Sequence, residues 1–315
     1  MTRFCPDIRF DVASAVSQGR RDNQEDALLV DAPIGADVGF AVLADGMGGH
    51  AAGEFASKIA VTEVLSELKF RSTNVASFRR QAPAALRAAA LSANACIARQ
   101  VREHAGMRGM GTTLVALALM RDRAFWVSVG DSPLYLFRAG QLTRLNEVHS
   151  LAPQIDLMVR TGQMTEAAGR WHPDRDCLTS VVGGGNIERM DLPTTPLQLT
   201  DGDILLVASD GIETLTRRQL QSFLRSHAHM DSAEIAHRLL LAVESLDDPE
   251  QDNVALSVIR VLAPRHMCLA DAGPRNAAAA PVEARSLELM VARWFQRLGA
   301  LFRPRRLSSA RGDPR

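Results

Sequence analysis

Apolar and polar positions change rhythm several times along the chain. Residues 10–17 carry Phe10, Val12 and Val16 among small side chains and predict a strand. Residues 19–26 are polar and turn-like. Two apolar runs follow, 27–30 and 38–44, both with the character of buried strands, and Gly48-Gly49 breaks the second. Residues 51–68 place Phe55, Ile59, Val64 and Leu68 near helical spacing. Residues 82–101, rich in Ala, Leu and Arg, predict a second helix by propensity. Strands then return quickly: 112–120 and 124–129 on either side of Arg121-Asp122-Arg123, and 134–137 and 141–145 around the hairpin signal Arg138-Ala139-Gly140. Residues 150–169 read as short helices with loops, 204–208 as a strand, 215–224 and 233–246 as helices, and 254–261 as a closing strand. Strands in blocks, with helices in pairs between them, predict an α+β fold and not alternating β-α-β units.

Composition changes this picture at the C-terminal end. After Leu262 the chain turns rich in Ala, Pro and Gly over 270–284, the composition of a linker. Beyond it Leu287, Met290, Val291, Trp294, Leu298 and Leu301 share one helical face, with Arg293, Gln296 and Arg297 opposite. The expected organisation is a catalytic domain over 1–263, a flexible linker over 264–285 and a basic amphipathic tail over 286–315. A basic helix with Trp on its apolar face suits an anionic membrane surface or a partner through 286–306; packing on its own domain or in a dimer is the alternative. Net charge is +0 over the 315 residues, which points away from nucleic acid. It is unevenly spread: residues 264–315 hold 10 Arg, no Lys and 4 acids, leaving an acidic body. Cys5, Cys96, Cys177 and Cys268 form no C-x-x-C pair, so unpaired thiols in a reducing, cytoplasmic setting are expected. Neither a secretory leader nor an 18-residue apolar span is expected.

Four short segments concentrate carboxylates: Arg21-Asp22-Asn23-Gln24-Glu25-Asp26, Asp45-Gly46-Met47-Gly48-Gly49-His50, Ser209-Asp210-Gly211 and Asp252-Asn253. In the last three the Asp sits at the end or start of an apolar strand. Carboxylates converging on a shared rim repel one another unless a cation neutralises them. The candidate ligands are all oxygens, which suits Mg²⁺ or Mn²⁺ and not zinc.

Six markers occur in order: Arg21-x-x-x-Glu25-Asp26, Ala44-Asp45-Gly46-Met47-Gly48-Gly49, Gly111-Thr112-Thr113, Val129-Gly130-Asp131-Ser132, Ala208-Ser209-Asp210-Gly211 and Asp252-Asn253. In this combination the chain resembles the metal-dependent serine/threonine protein phosphatases of the type 2C class, in its bacterial form, from about residue 10 to 261. The resemblance implies an αββα sandwich of two antiparallel sheets flanked by helices. It implies hydrolysis of phosphoserine and phosphothreonine on proteins by a water bridging two Mn²⁺ or Mg²⁺ ions. By that match Asp45 bridges both ions, Gly46 offers its carbonyl, and Asp210 and Asp252 are further ligands. Glu25 and Asp26 hold the ions or their waters, Asp131 serves as a supporting acid or as a ligand to a third metal, and Arg21 binds phosphate, with Arg20 the alternative. The implied partners are phosphorylated proteins, targets of a serine/threonine kinase.

The chain also departs from the family pattern. Thr214 stands where an Asp often helps to hold a third metal, so two firm ions are expected and a third weak or absent. Met47 replaces a His proposed to protonate the leaving group. Val148-His149-Ser150 replaces an Asp-His-Ser pattern ahead of the mobile flap, expected at 151–172. A non-catalytic phosphatase-like binding module is one alternative. Another is a phosphatase dedicated to one regulatory protein or to a small phosphoester.

Overall fold

The computed structural model describes residues 8–33, 36–48 and 51–263, with the backbone alone at positions 51 and 105. The expected linker 264–285 and tail 286–315 lie outside the described residues. One sheet contains β1 (Arg9–Ser17), β7 (Leu134–Arg138), β8 (Gln141–Arg144), β10 (Ile204–Ala208) and β11 (Val254–Leu262) in the order β1-β11-β10-β7-β8. The other contains β2 (Asp26–Asp31), β3 (Gly39–Met47), β5 (Leu114–Met120), β6 (Arg123–Val129) and the short β9 (Leu197–Gln198) in the order β2-β3-β5-β6-β9, and β4 (Gly111–Thr112) extends the end of β3. All the pairings are antiparallel.

The continuous apolar runs are explained by burial on both faces. In β5, Leu114, Ala116, Ala118 and Met120 join the layer under α1 (Ala51–Arg71) and α2 (Val75–Glu103), while Val115, Leu117 and Leu119 fill the space between the sheets. In β10, Leu205 and Val207 point between the sheets, and Ile204, Leu206 and Ala208 pack toward α5 (Arg217–His227) and α6 (Ser232–Glu244). Every residue of these two strands is buried. The period-two alternation of a strand is still present, but both sides are apolar, so the sequence shows no polar beat. The result is the αββα sandwich: helices, sheet, sheet, helices.

Helix boundaries differ from the expectation in instructive ways. α1 buries Ala52, Ala56, Ala60, Val61, Val64 and Leu68, whereas Phe55 and Ile59 are only half-buried. Alanines thus share the buried face with Val64 and Leu68, and Phe55 and Ile59 pack against its edge. α2 starts at Val75, well before the predicted residue 82, and Asn74 caps it by accepting from the Ser77 amide at 3.0 Å. It bends at Gln81 (φ −121°, ψ 16°), ahead of Pro83. Proline has no N–H for the helical ladder and its ring crowds the preceding turn, which separates the two halves. Residues 150–169 do form short helices, α3 (Ala152–Arg160) and α4 (Glu166–Arg170).

Leu205 is fully buried between the sheets. Leu205→Ala is expected to lower unfolding free energy by about 2–5 kcal/mol. Leu157→Ala, on the exposed side of α3, should stay within about 0.5 kcal/mol. Urea unfolding of both variants checks this; equal losses would contradict the layer assignment.

Candidate active site

Strand ends gather the carboxylates. Asp26 opens β2 and pairs in register with Asp45 near the end of β3, so two acids face each other across adjacent strands. Asp210 follows β10 and begins a single turn of 3-10 helix (Asp210–Thr214), and Asp252 lies just before β11. The Ser209 amide donates to the Ala255 carbonyl at 2.9 Å, which brings these two segments to the same edge. Asp45 is fixed by its backbone: its amide donates to Thr113 Oγ1 at 3.0 Å, and its carbonyl accepts from the Thr113 amide and the Thr112 hydroxyl, each at 2.8 Å. Glycine is required at Gly46, where a Cβ would overlap the Gly53 carbonyl, and at Gly211, where it would overlap the Asn253 carbonyl.

Asn253 clasps the loop that carries Arg21 and Glu25. Its Oδ1 accepts from the Glu25 amide at 2.7 Å, and its Nδ2 donates to the carbonyls of Gln18 (2.8 Å) and Asn23 (3.0 Å). Ser209 makes a similar link: its hydroxyl donates to Asp26 Oδ2 at 2.6 Å and accepts from the Ala255 amide at 2.9 Å. Asn253 and Ser209 belong to the sequence markers, but their work as clasps comes from contacts far apart in sequence.

A cleft of about 900 Å³ results, lined by Arg21, Glu25, Asp45, Gly46, Asp131, Asp210 and Asp252 among others. Asp26 is buried at its back, and Asp45, Asp131, Asp210 and Asp252 are half-buried. Burial first, then Asp210 and Asp252, push the Asp26 carboxyl up to about 7 against the opposing bond from Ser209. Burial and neighbouring Asp210 also hold Asp131 at about 7, with Arg144 opposing. Asp210 is raised to about 6 by burial and then Asp252, while a hydrogen bond with Asp45 opposes the shift. Asp45 is raised well above the usual carboxylate range by burial and then by Asp210. Desolvation and like-charge repulsion both disfavour the ionised forms.

The other expected residues separate clearly. Arg21 is exposed on the rim and donates to Asp252 Oδ2 at 2.5 Å, whereas Arg20 pairs with Asp247 and does not line the cleft. Met47 lines it, and Gly49 and His50 lie outside the described residues. His149 is a buried structural link: its Nδ1 accepts from the Gly130 amide at 3.2 Å, and burial lowers its pKa. The flap expected at 151–172 does not face the cleft; Asp176, Cys177, Leu178 and Val181, just beyond it, do. The sequence holds no polarity signal that distinguishes this return segment from the helices before it. Thr214 donates back to the Gly211 carbonyl at 3.0 Å and so serves its own turn.

These residues fit divalent cations by the chemistry of their donors. The acids supply oxygen donors whose charges are mutually unfavourable without a counter-ion, as hard cations require. They do not form a finished cage: among the described residues no three acidic, His or Cys side chains converge as ligands. Arg21 holds Asp252, and Asp45 and Asp210 lie close enough for a hydrogen bond to temper the shift of Asp210.

Two antiparallel sheets end in a carboxylate cleft with an arginine on its rim, a donor set of the class that takes hard cations and an oxyanion. The comparisons narrow the class. The family described as protein phosphatase 2C matches residues 17–247. The serine/threonine phosphatase stp of Listeria welshimeri is 32% identical over 186 residues, 59% of this chain and 71% of that protein. The serine/threonine protein phosphatase PstP of Mycobacterium tuberculosis is 32% identical over 243 residues, 77% of this chain; the match spans only 43% of PstP's length. The crystal structure of PstP superposes with a TM-score of 0.68 at 30% identity, covering 81% of this chain and all of that one. Its catalytic domain solved in complex with two manganese ions gives 0.65 at 29% identity, covering 81% and 99%. The chain belongs to the protein phosphatase 2C family and is a metal-dependent protein phosphatase.

The pKa shifts set a sign for pH dependence. Asp26, Asp131 and Asp210 have folded values above the ordinary 3.8. Their favourable contribution is complete below that ordinary value and is lost as pH rises through about 6 to 7. The melting temperature of chelator-treated protein should therefore fall between pH 5 and pH 8, and Mn²⁺ should restore more of it at pH 8 than at pH 5. Thermal melts check this; an equal Mn²⁺ effect at both pH values would contradict the charge argument.

Proposed function

We propose that this cleft removes phosphate from phosphoserine and phosphothreonine on other proteins. In this reading Asp45, Asp210, Asp252, Glu25 and the Gly46 carbonyl hold two Mn²⁺ or Mg²⁺ ions, and Arg21 receives the phosphate. The observation that carries it is the set of carboxylates whose ionised forms burial and repulsion disfavour, facing an open cleft with an exposed Arg on its rim. The relatives named as serine/threonine phosphatases, and the two manganese ions of the PstP catalytic domain, support the substrate class and the cofactor.

Arg21 presents a permanently charged planar fork that matches phosphate oxygens, and its present carboxylate partner shows that it already binds an oxyanion. Asn253 and the Asp26–Ser209 link hold the Arg21 loop and the metal-site strands in register, a positioning role. When bound, a pair of divalent ions makes a water easier to deprotonate and neutralises charge on the phosphoryl oxygens. No His lies among the described residues that line the cleft.

The substrates are proteins phosphorylated by a serine/threonine kinase, in a cytoplasmic setting that keeps thiols such as Cys96 and Cys177 free. No helix among the described residues is long and apolar enough to cross a membrane. Contact with an anionic membrane surface or a partner falls to 286–306, so residues 1–263 are the catalytic unit.

Hydrolysis of a phosphothreonine peptide should require Mn²⁺ or Mg²⁺ and should fall at least a hundredfold in Asp210→Asn. Arg21→Ala should raise KM about tenfold or more, with Arg21→Lys recovering only part. A folded protein without turnover on any divalent metal would leave the binding-module reading standing. Truncation after residue 263 should leave peptide turnover within about twofold, since the site lies wholly before it; steady-state kinetics on the two forms decide this.

A further inference from the structure

Arg144 has no place in the family markers, yet it ties two site segments together. It stands on β8 directly across from Tyr135 on β7. One terminal nitrogen donates to Glu213 Oε1 at 2.9 Å, and the other donates to the backbone carbonyl of Asp131. The Tyr135 hydroxyl donates to the same Glu213 oxygen at 2.8 Å, and the guanidinium carbon lies 5.9 Å from the centre of the Tyr135 ring. The Arg144 side chain is only 17% exposed, and its Nε is buried with no hydrogen-bond partner. Asp131 lies in the turn between β6 and β7, while Glu213 rides on the single turn that Asp210 begins. One guanidinium therefore spans both segments.

The charges at this corner are one-sided without it. Asp131, Asp210 and Glu213 bring three carboxylates together, and Arg21 is engaged by Asp252. Glu213 is committed to Tyr135 and Arg144 and does not line the cleft. Thr214 is committed to its own turn. Arginine keeps its charge at any working pH and cannot be displaced by a proton, unlike the hydrogen-bonded acids beside it. A divalent ion and a fixed guanidinium at one corner would repel each other, so only one is stable there.

We propose that Arg144 is a positioning residue that locks the Asp131 and Asp210 segments together and acts as the resident cation of this corner, in place of an additional divalent ion. The proposal rests on the reading of Asp45, Asp210 and Asp252 as metal ligands. It explains why the corner keeps Asp131 while its neighbours face elsewhere.

The test counts Mn²⁺ bound to the full chain by electron paramagnetic resonance of the free ion. Wild-type protein and Arg144→Lys should bind two ions per chain. Arg144→Met should bind a further, weaker ion, and Arg144→Met with Asp131→Asn should lose it again. Two ions at unchanged affinity in a folded Arg144→Met protein would overturn the proposal while leaving the two-metal reading intact. No Mn²⁺ binding by wild type would overturn both. If Arg144→Met does not fold, Asp131→Asn alone decides. It should keep two ions within about threefold of wild-type affinity, because Arg144 already answers that carboxylate; loss of an ion, or weakening beyond about tenfold, overturns the proposal.

Discussion

Carboxylates at one edge of a sandwich impose a constraint on everything around them. Asp26, Asp45, Asp131 and Asp210 are each held above the ordinary carboxylate range, and burial is the largest cause in every case. A group of acids in that state is stable only if the backbone around it cannot relax and if some positive charge or proton is shared among them. The structure meets both conditions. Strand pairing sets Asp26 against Asp45, the Thr112 and Thr113 bonds fix the Asp45 backbone, and Ser209 joins Asp26 to the segment that holds Asp210. The sheets themselves are packed from both sides, so this edge rests on rigid material.

The core and the acids were legible in the sequence for different reasons. Runs such as 114–120 and 204–208 are apolar at every position because both faces are buried, and that alone marked them as internal strands. Asp45, Asp210 and Asp252 stood out because each interrupts or abuts such a run. The first part of α2 does not stand out in the sequence: Pro83 breaks the helical rhythm, and Asn74 caps the helix well ahead of the Ala- and Leu-rich stretch. The buried face of α1 was legible at Val64 and Leu68, whereas Ala52, Ala56 and Ala60 carry little hydrophobic signal and did not mark its remainder.

Partnership between distant residues was the part that could not be read. Arg144 sits in a hairpin strand with ordinary composition, and nothing local marks it as a neighbour of Asp131 and Glu213. The same holds for the segment with Asp176 and Cys177, which faces the cleft only because the chain returns across it after α4. Glu213 shows the same limit: it stands beside Thr214 in sequence, yet the 3-10 turn sends its side chain to Tyr135. A difference of one residue on such a tight turn changes direction completely.

The Asn253 clasp has a consequence for biosynthesis. Its bonds reach back to Gln18, Asn23 and Glu25, across separations of 235, 230 and 228 residues. The Arg21 loop therefore keeps only its local bonds, from Gln18 to the Arg21 and Asp22 carbonyls, until β11 has left the ribosome and paired with β1. A chain cut short before Asn253 lacks every one of these bonds, and its Arg21 loop has to find its place without them.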